Sequence, residues 1–321
     1  MRFIITGGVG FIGHGIVAKL EKQGHEVCVI DNFTNYGIIP ERELAPLHEE
    51  RLARLKTRRI HRVDIRDYRE VSEIFEDCRP DVVIHCAAFP RAKVVDANPT
   101  EGCAVLTSGL INLLRASERW KVRRFVYISS SMVYGDFNMI GYEDMKCEPK
   151  GIYGILKLAG EALTRDHCNR AGIDYVVLRP SAVYGPLDVE DRVVSKFLIA
   201  AMNNREIVVH GKDELLDFTY VDDCVRGIVR AANSFNSSGR TYNITRGGSR
   251  TLLEAAEIAI SVAGGGRIKL ADANPNFPSR GTLSNIRAGQ DFGYQGRVDI
   301  EEGFKLYHEW LKESVAWNTK I

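Results

Sequence analysis

The chain has no marked excess of either charge. Its 43 lysines and arginines against 42 acids leave a formal net charge of +1. It also lacks a basic run interleaved with aromatics, so nucleic acid is not an expected partner. No apolar run reaches the roughly 20 residues that a membrane-spanning helix needs, so no membrane partner is expected either. A buried strand pattern starts at Arg2, which leaves no room for a secretory signal, and the expected location is cytoplasmic. The seven cysteines (Cys28, Cys78, Cys86, Cys103, Cys147, Cys168, Cys224) are odd in number, scattered, and without metal-ligand spacing. They read as reduced thiols, with neither a disulfide framework nor a zinc site. There is no internal repeat and no low-complexity segment. What remains is 321 residues, 45% hydrophobic and 26% charged, enough for one large or two moderate α/β domains.

What is present starts with Arg2-Phe3-Ile4-Ile5-Thr6, a short buried strand, followed by Gly7-Gly8-Val9-Gly10-Phe11-Ile12-Gly13 and a helical pattern at Ile16, Val17 and Leu20. Glycines so placed permit a tight turn and let the backbone approach a pyrophosphate resting on the helix N-terminus. The second strand, Glu26 to Ile30, ends in Asp31. A carboxylate there accepts both adenosine ribose hydroxyls and repels a 2′-phosphate, which favours NAD over NADP. Asp64-Ile65 ends a third strand where adenine would lie, and Ala87-Ala88 ends a fourth, Asp81 to Cys86. The small residues at that end let backbone approach the cofactor. His85 reads as a packed strand residue.

A helix is expected from Thr100 to Trp120, then strand Arg124 to Ile128, ending in Ser129-Ser130-Ser131. The run Tyr153-Gly-Ile-Leu-Lys157 opens a helix reaching about Ala171. Tyr153 and Lys157 are four apart and share a face. A phenol has an ordinary pKa of about 10; an ammonium and a nicotinamide cation nearby would favour the phenolate. A shift of about three units is worth roughly 4 kcal/mol. The second Tyr-x-x-x-Lys pair, Tyr142 and Lys146, lies in a polar stretch ended by Pro149 and reads as loop. With Asp174 to Arg179, strands and helices alternate six times. That predicts a Rossmann-type, doubly wound parallel sheet over residues 1–179. Beyond Pro180 the pattern breaks into short pieces, with firm helices only at Val221 to Ala232 and Ile300 to Glu313. Residues 180–321 are expected to form a smaller α+β substrate-binding cap, with the 221–232 helix returning to the sheet.

Together these motifs, with Val133-Tyr134-Gly135, Leu178-Arg179-Pro180, Val183-Tyr184-Gly185-Pro186, Asp217 to Asp223 and Arg280, resemble the extended short-chain dehydrogenase/reductases. More narrowly, the chain is similar to the NAD-dependent nucleotide-sugar epimerases and dehydratases. The resemblance implies NAD as cofactor, contacted by Gly7, Gly10, Phe11, Ile12, Asp31, Asn32, Asp64, Ile65, Ala87, Ala88, Tyr153, Lys157 and Pro180. It implies Tyr153 as general base, Lys157 on the nicotinamide ribose, and Ser130 on the reacting oxygen. Arg91, Ser130, Ser131, Tyr153 and Arg280 would face a nucleotide-diphosphate sugar. No metal is implied. A homodimer is, through pairing of the 100–120 and 152–170 helices.

Departures from the family narrow the chemistry. The sugar 4,6-dehydratases place two acids where this chain has Ser131 and Met132, and neither can serve as a carboxylic acid. Uronic-acid decarboxylases often carry Glu at the position of Met132. Ala182, Leu216 and Leu106 replace an Asn, an Arg and an Asn of many relatives, so the diphosphate would be held in a variant manner. The expected activity is epimerisation at the sugar's C4; a keto-sugar reductase or dehydrogenase, and epimerisation at C2 or C5, are the alternatives.

Overall fold

The structure is a computed structural model that describes residues 1–89, 91–188, 192–275 and 278–314. Its main sheet is built from β1 (Arg2–Thr6), β2 (Glu26–Asp31), β3 (Ile60–Arg62), β4 (Val82–His85), β5 (Arg124–Ile128) and β6 (Asp174–Pro180). The helices between them are α1 (Gly13–Lys22), α2 (Glu41–Ala53), α3 (Tyr68–Cys78), α4 (Ala92–Ala97), α5 (Pro99–Cys103), α6 (Leu110–Arg119) and α7 (Gly151–Ala171). All strand pairs are parallel, in the order β3-β2-β1-β4-β5-β6. The order reverses between β1 and β4, and ligands of such sheets bind at that crevice. The register sets Thr6 beside both Ile30 and His85, so the glycine loop, Asp31 and Ala87 leave the sheet at one edge.

Period-two alternation decides the two faces of the sheet. Phe3, Ile5, Val27, Val29, Val82 and Ile84 pack against α1 and the helix Val221–Asn233. Ile4, Cys28, Ile30, Val83 and Phe125 pack against α3 and α6. The 221–233 helix therefore lies against the sheet despite its late position in the chain. A seventh parallel strand, Arg240–Ile244, pairs with β6; it comes from the half whose pattern is irregular. A second core is formed around Tyr184, Phe197, Leu198, Val209, Ala256 and Phe304.

The helix expected over 100–120 is present, and it carries a π-helical segment, Ala104–Gly109, between α5 and α6. Gly109 packs so closely on Ile65 that a Cβ would lie 2.6 Å from Ile65 Cδ1. One expectation needs correction. The cysteines are not all free thiols: Cys28 and Cys78 are joined by a disulfide, while Cys86, Cys103, Cys147, Cys168 and Cys224 are free. The cause is tertiary. Cys28 faces α3 from β2, and Cys78 ends α3 above it, 50 residues away in sequence. No helix among the described residues is long and apolar enough to cross a membrane.

Candidate active site

The loop after β1 is shaped by steric necessity. Gly7 has φ 68°, and a Cβ there would lie 2.7 Å from Ala87 N. A Cβ at Gly13 would run into the Gly7 carbonyl oxygen. Gly10 N–H donates to Gly7 O at 3.0 Å, closing the turn. α1 has no side-chain cap and no acid in its first turn, so its leading N–H groups stay available to an anion. Phe11 and Ile12 flank that end, half-buried. Ala87 N–H donates to Thr6 Oγ1 at 3.2 Å, and His85 shares that hydroxyl at 2.8 Å, so His85 is a packed strand residue.

Asp31 stands at the end of β2. Its carboxylate accepts Val9 N–H at 2.9 Å and Phe33 N–H at 2.8 Å. Burial nevertheless holds its pKa above the usual carboxylate value. Each oxygen keeps a lone pair for a ribose hydroxyl. Asn32 donates to Asp64 at 3.2 Å, and Arg66 pairs with Asp64 at 2.8 Å, fixing the third strand end. Ile65 is buried behind it, and Pro180 is buried at the end of β6.

α7 carries a polar stripe at four-residue spacing: Tyr153, Lys157, Glu161 and Arg165. The helix sits close to the serine loop because Gly154 has no side chain; a Cβ there would be 2.8 Å from Met132 O. The three consecutive serines then diverge. Ser129 Oγ donates to Glu161 at 2.7 Å. Ser130 Oγ accepts Met132 N–H at 3.2 Å and lies near the Tyr153 phenol, whose pKa it lowers. Ser131 Oγ donates to Ser181 at 3.1 Å and accepts from Arg280 at 3.3 Å.

Burial dominates the electrostatics of the Tyr153 and Lys157 pair. Lys157 Nζ donates to Ile128 O at 2.8 Å and lies 5.9 Å from the Tyr153 ring centre. Burial lowers its pKa to about 8. Tyr153 is held above the ordinary phenol value by burial, opposed by the Arg192 charge and by Ser130. The Lys157 ammonium is thus turned to the β5 carbonyl while staying close to the Tyr153 ring.

Across from it, Arg280 is half-buried, and desolvation lowers its pKa to about 10. Its Nε has no hydrogen-bond partner among the described residues. A guanidinium with one buried N–H unpaired suits an anionic ligand. Arg91 instead pairs with Asp188 at 3.9 Å. Leu106 is buried in the π segment, Leu216 is half-buried against the second core, and Ala182 has φ 38°.

Three residues of this region escape sequence reasoning. Arg51, buried on α2, donates to Val9 O at 3.3 Å and to Leu187 O at 2.6 Å, tying the glycine loop to the segment after β6. Arg192 reaches towards Tyr153 and lies over the Phe11 ring at 5.6 Å. Glu161 binds Arg179 behind the serines. Only Glu161 left a signal: an acid one turn beyond Lys157 on the buried stripe.

The model of the NAD dependent epimerase/dehydratase family matches residues 3–245. The chain belongs to that family. UDP-glucuronate 4-epimerase 1 of Arabidopsis thaliana is 28% identical over 99% of this chain and 78% of its own length. Among solved structures, the UDP-glucuronic acid 4-epimerase of Bacillus cereus, in complex with UDP-glucuronic acid and NAD, superposes with a TM-score of 0.88. It is 27% identical, with 98% of this chain and 99% of that one covered. The UDP-glucose 4-epimerase of Thermus thermophilus, complexed with NAD, gives a TM-score of 0.86 at 27% identity, covering 98% and 100%. This family member is thus an NAD-dependent enzyme of the extended short-chain dehydrogenase/reductase type. Its glycine cradle, unblocked helix N-terminus and Asp31 fit that cofactor.

Proposed function

We propose that the enzyme interconverts nucleotide-diphosphate sugars epimeric at C4. The observation that carries this reading is the close packing of α7 on the serine loop after β5, which sets Tyr153 beside Ser130 at the strand end facing the glycine loop. Bound NAD supplies the hydride acceptor and donor. Tyr153 Oη takes the proton of the sugar hydroxyl and later returns it. Ser130 Oγ holds the reacting oxygen. Lys157 supplies positive charge and ribose contact on the cofactor side. Arg280 and Ser131 hold the diphosphate end while the sugar turns, so that its other face meets Tyr153. Ser131 and Met132 offer no acid for elimination, which supports epimerisation over dehydration. The 4-epimerase activity named for the three relatives supports C4.

Residues 1–179 with the 221–233 helix would bind the cofactor, and residues 180–321 would mainly hold the nucleotide-sugar. The exposed Ile111 on α6 and Ile152 and Ile155 on α7 support pairing of two copies through these helices. Incubation with UDP- and GDP-linked hexoses and hexuronates, followed by proton NMR, tests the activity. C4 epimers are expected to form without net loss of NAD. No interconversion across the panel by NAD-loaded protein would contradict it.

A further inference from the structure

β2, β3 and α3 meet at a corner away from the proposed active site. Strand periodicity puts Cys28 and Ile30 on one face of β2, and the register sets His61 of β3 opposite Ile30. Cys78, the last residue of α3, closes over them, with its Cα 6.7 Å from that of Cys28. Both sulfurs and one ring nitrogen of His61 lie within 4.8 Å of one another. Cys28 and Cys78 are each only 3% exposed.

A structural disulfide needs two cysteines and nothing more. The third donor is what a disulfide leaves unexplained. His61 Nε2 is buried and has no hydrogen-bond partner among the described residues. Such an orphan costs about 1–3 kcal/mol, which a bound cation at this corner would offset. Two thiolates and an imidazole form a donor set for a soft, closed-shell ion, with tetrahedral zinc the common occupant. Asp77, next to Cys78, brings a carboxylate to the same corner, now held by Arg59 at 2.6 Å. It or a water would fill a fourth position. The donors are separated in sequence by 32 and 16 intervening residues, so no zinc spacing marks them.

We propose that Cys28, His61 and Cys78 bind one zinc ion when the two cysteines are reduced. The disulfide and the zinc complex are then alternative states of one site. Reduction by a phosphine breaks the S–S bond: phosphorus takes the oxygen of one water, and each sulfur takes one of its hydrogens. Zinc binding then displaces the two thiol protons.

The test uses the untagged full chain, reduced with a phosphine and kept free of oxygen. Zinc is titrated against a chromophoric chelator, and cobalt(II) is added as a spectroscopic substitute. The expected result is one ion per chain, with a thiolate-to-cobalt charge-transfer band and the intense visible absorption of a tetrahedral site. His61→Ala, on a partly exposed edge strand, should weaken zinc binding at least about tenfold, the scale seen even for partners of metal ligands. Cys78→Ser should lose the charge-transfer band while the far-UV dichroism stays native. Three results would overturn the proposal: no band in reduced, folded protein; the same zinc affinity in His61→Ala as in the parent; or a disulfide that yields thiols only on unfolding.

Discussion

Glu161 and Arg179 form a two-point ion pair behind the serine loop. Arg179 Nε and Nη2 donate to the two carboxylate oxygens at 2.8 and 2.7 Å, and neither side chain is more than 3% exposed. Burial alone would push the Glu161 pKa up, but the Arg179 hydrogen bonds and charge outweigh it and hold it below the ordinary value. Removing one partner leaves a buried charge alone. Glu161→Ala should therefore cost about 3–5 kcal/mol in urea unfolding. A depressed carboxyl contributes stability above its unfolded pKa, and loses it as pH falls through the folded value. The parent's advantage over Glu161→Gln should accordingly shrink below about pH 4. An unchanged difference from neutral to acid pH would count against the ion pair.

Arg192 is the charge that most opposes the raised Tyr153 pKa. Arg192→Met should move the alkaline-rising limb of kcat/KM to higher pH while the plateau survives. Ser130→Ala should move it the same way and also lower kcat, since Ser130 touches the proposed reacting oxygen. A limb unmoved in both variants would show that it does not report Tyr153.

Lys157 is a buried cation whose pKa falls to about 8, against roughly 10.4 for an unperturbed lysine. The unfolded chain binds more protons between those values, so this group's contribution to stability rises with pH across them. Below about pH 8 it is a cost that function tolerates. Lys157→Met should be inactive, and its stability relative to the parent should decline as pH rises from about 8 to 10. Matched denaturation curves at several pH values check the sign; a constant difference would contradict it.

Gly7→Ala tests the cradle. Its Cβ would meet Ala87 N at 2.7 Å, in a backbone conformation at φ 68°. A destabilisation of about 1–3 kcal/mol and loss of NAD retention are expected. Gly24→Ala, also at positive φ but with open space around it, should keep the cofactor. Equal NAD content in the two variants would remove the argument.

Much of this was legible because it is local. The glycine loop joins a strand to a helix in one short stretch, and Tyr153 and Lys157 share a helix face by spacing alone. Six strands announce themselves by apolar runs. What was not legible depends on distant parts meeting. The strand 240–244 has ordinary residues and becomes the seventh of the sheet only because β6 offers a free edge. Arg51 reads as one charge among leucines until α2 folds over the glycine loop. Cys28 and Cys78 meet because one faces the helix that the other ends. The direction of Lys157 escapes for a related reason: spacing places a side chain on a face but does not say which carbonyl it meets.

The central claim is that Tyr153 moves the proton of a sugar C4 hydroxyl. The most direct measurement is proton NMR of a nucleotide-sugar panel with parent and Tyr153→Phe, each checked for bound NAD, with reduced-nicotinamide absorbance followed alongside. The account predicts C4 epimers with the parent, no net absorbance change, and a rate lower by about 100-fold or more with Tyr153→Phe at equal NAD content. Full activity in Tyr153→Phe, or reduced nicotinamide accumulating in proportion to substrate, would contradict it.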